Sequence, residues 1–371
     1  MTSSTLTKIF LFLSSTALTA VCAEAGARIW LNHFATHEQY LNYSLYQDID
    51  PKFLRFQPHA YLDYVLTPNF RSGGTSHNSL GYRGDEFPKI KPEGEFRIVA
   101  LGGSITYDED VEENKDTHTQ QLENILKEHG YFHVRVINAG VPAYNSWESL
   151  VSLQFRVLDL SPDIVIHEDN NNDIHARLVP SAVYSGDDAG RRKPWAYPPV
   201  AIQERSTFGR ILSRYLHYTR QVGLEDFVNV PNLPYVVTGY DARIGGDPMK
   251  VLEQNPPIYF ERNTRDMVAI ERENGVVPML VTYAYTPLFE DYVTTPHYEK
   301  AINEHNDIYR KIASSDEVPF LDLQAVMPKD KEYFTDGRHN SALGARKKAE
   351  IYAEFLMSHN LIPKKLKDGS H

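Results

Sequence analysis

Ser104 ends an apolar run and opens what reads as a helix, in Arg97-Ile-Val-Ala-Leu-Gly-Gly-Ser-Ile-Thr106. Glycines ahead of a serine allow a sharp turn that a β-carbon would obstruct. The turn exposes the hydroxyl at the carboxyl end of a strand, where open α/β sheets build their active sites. Serine is a weak nucleophile unless a base, a group that orients the base and donors for an oxyanion stand with it. The chain offers candidates for each. Tyr333-Phe-Thr-Asp-Gly-Arg-His-Asn340 sets Asp336 and His339 three residues apart, before a helix opening at Ser341. On a turn, that spacing lets the imidazole take the serine proton while the carboxylate fixes its tautomer. Gly140 follows the apolar run Val134-Arg-Val-Ile-Asn138, and its N–H can face the same crevice. Asn172, in His167-Glu-Asp-Asn-Asn-Asn-Asp173 after Asp163-Ile-Val-Ile166, can supply an amide donor.

The elements that must position these residues are legible from residue 96 onward. Apolar runs near 96–102, 133–138, 163–168, 277–283 and 318–322 read as strands, and amphipathic stretches between them read as helices. Residues 116–129 carry Leu122, Ile125 and Leu126 at helical spacing, with Gly130 as the stop, and 146–160 carry Trp147, Leu150, Leu153, Val157 and Leu158. These stripes are core faces. Strands alternating with helices require crossovers and a sheet covered on both faces. The expected fold is therefore α/β, a three-layer α/β/α sandwich around a parallel sheet of five strands. Ahead of it, 32–95 reads as a flap packed on the core, with a short strand over 61–66. Residues 178–261 break the rhythm with prolines, aromatics and one helix over 206–221. Such a long loop, leaving just after Asn172, is expected to wall the site. Its Trp195, Tyr197, Tyr215, Tyr235, Tyr240 and Tyr259 can stack on sugar rings or pack among themselves. The organisation expected is a targeting segment over 1–31, the flap, a catalytic domain over 96–362 containing the insertion, and a tail over 363–371.

The segments Gly103-Ser104, Gly140, Asn172-Asp173 and Asp336-x-x-His339, in this order at strand ends, resemble the SGNH hydrolases, also called GDSL esterases or lipases. The resemblance covers 96–175 and 262–360, and the ordered set is far more specific than any one motif. It implies a flavodoxin-like topology in which Ser104 attacks an acyl carbonyl, His339 is general base and then acid, and Asp336 orients it. The Ser104 N–H, the Gly140 N–H and the Asn172 side chain would form the oxyanion hole. Gly-Gly-Ser stands where Gly-Asp-Ser is commoner, a variant familiar among exported members. Asn170 stands where the third motif usually carries glycine, so its side chain is expected to redirect the backbone or intrude on the acyl site.

Blander readings attach to the same residues. A Gly-Gly-Ser alone is an ordinary turn, and Asp-Gly-Arg-His alone is a surface turn with a helix cap. His167, Glu168, Asp169, Asp173 and His175 suggest a metal site, but adjacent residues on a strand end point to opposite faces, and no helical His-x-x-x-His spacing accompanies them. No metal or other cofactor is expected. Nucleotide binding by Gly102–Thr106 has little support, since no Gly-x-x-x-x-Gly-Lys pattern is present and two glycines without a third do not form the dinucleotide fingerprint.

A net charge of −11 over 371 residues argues against nucleic acid or an anionic membrane surface as partner. Lys8 followed by the apolar 9–23 is a targeting segment, with small residues Cys22 and Ala23 forming an acceptable cleavage site. Apolar character resumes over 25–31 beyond Glu24, so a retained anchor is the alternative. Cys22 is the only cysteine, and an intramolecular disulfide is impossible. The sequon Asn42-Tyr-Ser44 matters only in a eukaryotic secretory route. The function expected is an exported esterase, secreted or periplasmic, that removes small acyl groups such as acetyl from small-molecule or polysaccharide esters. The alternatives are an acyltransferase delivering the acyl group to a sugar hydroxyl and a catalytically silent carbohydrate-binding or assembly protein.

Overall fold

The computed structural model describes residues 3–229 and 247–364. The chain divides into two compact units, one of 1–54 with 195–228 and one of 55–194 with 229–371. The flap expected over 32–95 and the insertion expected over 178–261 are each cut by this division.

The larger unit holds the sheet. Strands β1 (Phe96–Gly102), β2 (Val134–Gly140), β3 (Ile164–His167), β4 (Val277–Val281) and β5 (Phe320–Leu321) are all parallel, in the order β2-β1-β3-β4-β5. This is the flavodoxin-like arrangement. Successive residues alternate between faces. Ile98, Val136, Ile166 and Met279 pack with Leu122, Ile125 and Leu126 of helix His118–Glu128 and with Tyr352 and Leu356 of helix Ala342–Ser358. Val99, Leu101, Ile137 and Val165 pack on the other face with Leu153, Val157 and Met267, the last from helix Ile258–Glu273. Both faces are covered, so the strands are mainly apolar on both faces and do not alternate.

Local chemistry sets the ends of these elements. Thr117 Oγ1 caps His118–Glu128, and Asn145 with Glu148 forms a capping box for Ser146–Ser152. The helix read over 146–160 is α-helical only to Ser152. It continues as a π-helical turn (Leu153–Val157) and a 3₁₀ turn (Leu158–Leu160), with Leu153, Val157 and Leu160 all buried. Strand β5 is shorter than the sequence pattern suggested. Pro319 has no N–H to extend the ladder, and the Asp322 carboxylate is drawn to Arg310 and Thr282.

Residues 55–95 brace the loops that follow β1 and β2. Tyr64–Leu66 pairs antiparallel with Phe56–Pro58, and the Tyr64 hydroxyl donates to the Pro142 carbonyl at 2.7 Å. The buried Arg83 guanidinium donates to the carbonyls of Tyr107 (2.9 Å) and Asp108 (2.6 Å). His77 Nε2 meets the Tyr107 hydroxyl at 2.9 Å.

The smaller unit contains helix Ser3–His33, whose span Ser4–His33 is long and apolar enough to cross a membrane, its most apolar 18 residues having a mean hydropathy of 1.7. That is compatible with a signal sequence or an anchor. Trp195 stacks on Phe227 with centroids 4.6 Å apart, and Tyr46 lies 4.4 Å from the same ring. Tyr197 packs against this cluster too. These insertion aromatics are thus partners of one another. The helix read over 206–221 is observed as Thr207–Tyr215. Tyr235 and Tyr240 lie outside the described residues.

Candidate active site

The carboxyl ends of three strands meet at one level. Gly102 is in register with Gly140, and Leu101 with His167. The chain leaves β1 toward β2 on one side and returns to β3 on the other, and this reversal opens a crevice at the strand ends. Ser104 follows β1 there and begins the four-residue helix Ser104–Tyr107, which Asp108 stops with φ 64°. Gly103 is required by close approach. A β-carbon on it would lie 2.8 Å from Asn172 Nδ2 and 2.9 Å from the Tyr144 carbonyl oxygen.

Ser104 Oγ lies 2.9 Å from His339 Nε2, and His339 Nδ1 lies 2.9 Å from Asp336 Oδ2. The turn carrying both residues closes on itself. Asp336 Oδ1 accepts from the backbone N–H of Arg338 (2.7 Å) and of His339 (2.6 Å), and the Thr335 N–H donates to the His339 carbonyl. Ser341 then caps helix Ala342–Ser358. Burial disfavours a charge on Asp336, but the hydrogen bond and charge of His339, with the two backbone N–H groups, outweigh it. They hold the carboxyl well below the usual carboxylate range. The carboxylate is therefore ionised, and a hydrogen on Nδ1 leaves Nε2 free to accept from the serine.

The oxyanion donors expected from the sequence differ in availability. The Ser104 N–H heads its helix and has no intrahelical acceptor. Asn172 Nδ2 donates to the Tyr144 carbonyl at 2.6 Å, which uses one of its two hydrogens. Gly140 is not brought to the site in the way the sequence suggested, because its N–H donates to Asn138 Oδ1 at 3.0 Å. Its lack of a side chain serves packing, since a β-carbon would lie 2.3 Å from the Tyr107 nitrogen. The chain runs on from Gly140 through Val141 and Pro142 to Ala143, which is exposed at φ 67°. The signal for Ala143 was weak, since an alanine does not advertise a left-handed turn.

Asn170 has φ −176° and ψ −70°, so the backbone leaves the extended region here and turns into helix Asn171–Arg177. Its amide points to helix Pro296–Asp316, donating to the Ile302 carbonyl (3.1 Å) and to Asn306 Oδ1 (2.9 Å). Beside Ser104 lies a cavity of about 10 Å³, lined by Gly103–Ile105, Tyr144, 168–172 and Tyr283. Among the described residues of the larger unit, none of 178–194 or 247–261 lines it. The lining is polar, with Asp169 Oδ2, Asn170 Oδ1, Asn171 Oδ1 and the Tyr283 hydroxyl buried and unpartnered among the described residues.

Residues 100–347 match the model of the GDSL-like lipase/acylhydrolase family. The chain belongs to that family. Among solved structures it is similar to a lipase/acylhydrolase from Enterococcus faecalis, at 17% identity over 71% of this chain and 96% of that one, with a TM-score of 0.43. The acetyl xylan esterase AlAXEase matches at 14% identity over 72% of this chain and 100% of its own, with a TM-score of 0.42. An acetyl xylan esterase from Geobacillus stearothermophilus matches at 14% identity over 73% and 96%, with a TM-score of 0.41. No curated protein sequence is similar enough to count as a relative.

As a GDSL-like acylhydrolase the protein is a hydrolase of ester bonds, and one further carboxylate stands at its candidate site. Asp110 Oδ2 lies 3.7 Å from His339 Nδ1 and accepts from Thr335 Oγ1 at 2.5 Å. Sequence reading passed over it because Asp108-Glu109-Asp110 looks like a solvated acidic run. Its neighbour Asp108 is buried and receives both N–H groups of His118, which pins the loop. The acidic and histidine residues after β3 go separate ways. His167 pairs with Glu271 (2.7 Å), Glu168 with Lys348, Asp169 with the Ser149 hydroxyl (2.9 Å), Asp173 with Ser146, and His175 with the Tyr298 hydroxyl (2.9 Å). Burial and the charges of Arg191, Arg338 and Arg192 keep His175 neutral.

Proposed function

We propose that the protein is a serine esterase in which Ser104, His339 and Asp336 act as nucleophile, base and orienting carboxylate on small acyl groups. The observation that carries this reading is the continuous chain of contacts from Ser104 Oγ through both ring nitrogens to Asp336, each step 2.9 Å. Ser104 Oγ attacks the acyl carbonyl as its proton passes to His339 Nε2. The tetrahedral oxyanion is held by the Ser104 N–H, the spare Asn172 hydrogen and, in place of the Gly140 N–H, the N–H of Ala143. His339 then protonates the departing alcohol. Water attacks the acyl-enzyme after giving a proton to His339, which returns it to Ser104 as the acid leaves.

The cavity beside Ser104 supports acetyl as the acyl group. Its volume of about 10 Å³ is near the least that holds one water, and a longer acyl chain would bury apolar carbon against unpartnered amide oxygens. The test is a p-nitrophenyl ester series from acetate to octanoate, alongside acetylated oligosaccharides. Acetate should give the highest kcat/KM, and a rise with chain length would refute the acetyl reading. We read helix Ser3–His33 as a retained anchor of an exported enzyme, because it runs unbroken past Ala23. The mass of the mature chain tests this.

A further inference from the structure

Helix Thr207–Tyr215 is amphipathic in the opposite sense to a helix that packs in water. Its buried positions are Thr207, Arg210, Ser213 and Arg214, and they are polar. Arg210 Nε donates to the Tyr43 carbonyl at 2.6 Å, and Arg214 pairs with Glu204 at 2.9 Å and donates to the Ser44 carbonyl at 3.1 Å. Its outward positions are apolar. Phe208, Leu212 and Tyr215, spaced i, i+4 and i+7, are 46%, 44% and 69% exposed. Leu216 and Ile202 extend the same character at 48% and 80% exposure. A soluble unit hides such a stripe and presents the arginines.

The neighbouring element supplies the reason. Glu24 of helix Ser3–His33 accepts from the N–H groups of Thr207 (3.1 Å) and Phe208 (3.0 Å), so a side chain of the apolar helix caps this one. Phe208 also shares an open groove of about 540 Å³ with Ser15, Thr16, Thr19, Ala20 and Ala23. Residues 9–23 carry no charge, and as a helix they rise ~22 Å against a hydrocarbon core of ~30 Å. Glu24 therefore sits near the edge of that core, paired with Arg28 and bonded to two backbone N–H groups. The helix it caps lies at the same depth.

We propose that Thr207–Tyr215 is an in-plane membrane helix that seats Phe208, Leu212 and Tyr215 in the acyl-headgroup boundary of the bilayer crossed by Ser3–His33. The partner is lipid, since the stripe adjoins the membrane-spanning helix and its only covered face is polar. The inference rests on the anchor reading, and the test separates the two. The full chain is reconstituted into phosphatidylcholine vesicles. An environment-sensitive fluorophore is placed on native Cys22 in one sample. In a Cys22→Ser background it is placed at Phe208→Cys, Leu212→Cys, Tyr215→Cys or the exposed control Lys52→Cys. Hydrolysis of p-nitrophenyl acetate reports folding. The proposal expects quenching by spin-labelled lipid at Cys22 and at 208, 212 and 215, with a blue shift and several-fold loss of iodide quenching relative to position 52. Lipid quenching at Cys22 with iodide-accessible 208, 212 and 215 overturns the in-plane helix and leaves the anchor. Iodide protection at these three without lipid quenching puts a second copy of the chain on the stripe and overturns the proposal. Lack of lipid quenching at Cys22 overturns both.

Discussion

Replacing Asp336 by Asn should slow ester hydrolysis by less than the full cost of a wrong tautomer, because a second carboxylate stands behind it. In Asp336→Asn, Oδ1 can still accept from the N–H groups of Arg338 and His339 at 2.7 and 2.6 Å, so the side chain stays in place. Its new NH₂ then faces His339 Nδ1 and drives the proton to Nε2, where it blocks acceptance from Ser104. A wrong tautomer of this kind costs about 10⁴ in kcat. Asp110 Oδ2, 3.7 Å from Nδ1, offers another charged acceptor after a small ring movement. A charge-assisted hydrogen bond contributes about 1.5–3 kcal/mol, roughly a 10- to 100-fold recovery. Asp336→Asn should therefore lose about 100- to 1,000-fold. Asp110→Asn alone should lose no more than about 5-fold, because the partly exposed carboxylate is not the first partner of the ring. The double variant should fall to about 10⁴ below wild type. The assay is kcat/KM for p-nitrophenyl acetate across the four-protein cycle. Additive single losses would refute the compensating role of Asp110, and a loss under about tenfold in Asp336→Asn would refute the orienting role of Asp336.

Asn170→Ala removes two buried hydrogen bonds to helix Pro296–Asp316 and should lower stability by about 1–3 kcal/mol, read as the urea midpoint, with a much smaller effect on kcat. An unchanged midpoint with a collapse in kcat would show that its side chain serves the acyl cavity and not the packing of that helix. Gly140→Ala should impair folding, since its β-carbon meets the Tyr107 nitrogen at 2.3 Å, and normal stability with lost activity would restore its N–H as an oxyanion donor. Burial raises the Asp169 carboxyl to about 6, against the opposing charge of His167 and hydrogen bond of Ser149. The unfolded chain sheds that proton near pH 4, so across pH 4 to 6 the folded state holds the extra proton and this group's contribution to stability falls as pH rises. Asp169→Asn should flatten that fall in thermal melts between pH 4 and 7, and a slope identical to wild type would contradict the raised value.

The sheet was legible because strands buried on both faces must be mainly apolar, and β1, β2 and β3 stand out from their amphipathic neighbours. Ser104, His339 and Asp336 were legible because glycine before a serine and a three-residue Asp-to-His spacing each have a geometric reason. Gly140 was legible as a glycine but not in its role. Sequence cannot distinguish an N–H facing a crevice from a missing β-carbon that admits the Tyr107 backbone. Asp110 was hidden because an exposed acidic run is ordinary, and only the Thr335 turn brings it to the imidazole. The grouping of 195–228 with the amino-terminal helix depends on contacts distant in sequence, such as Glu24 with Thr207, which no local pattern announces.

The central claim is that Ser104 is the nucleophile. It is tested most directly by treating the full chain with a fluorophosphonate and mapping the adduct by peptide mass, with Ser104→Ala alongside. The account predicts one adduct, on Ser104, concurrent with loss of p-nitrophenyl acetate hydrolysis, and neither labelling nor turnover in a folded Ser104→Ala. An adduct on another residue, or a Ser104→Ala protein that still labels and turns over, would contradict it.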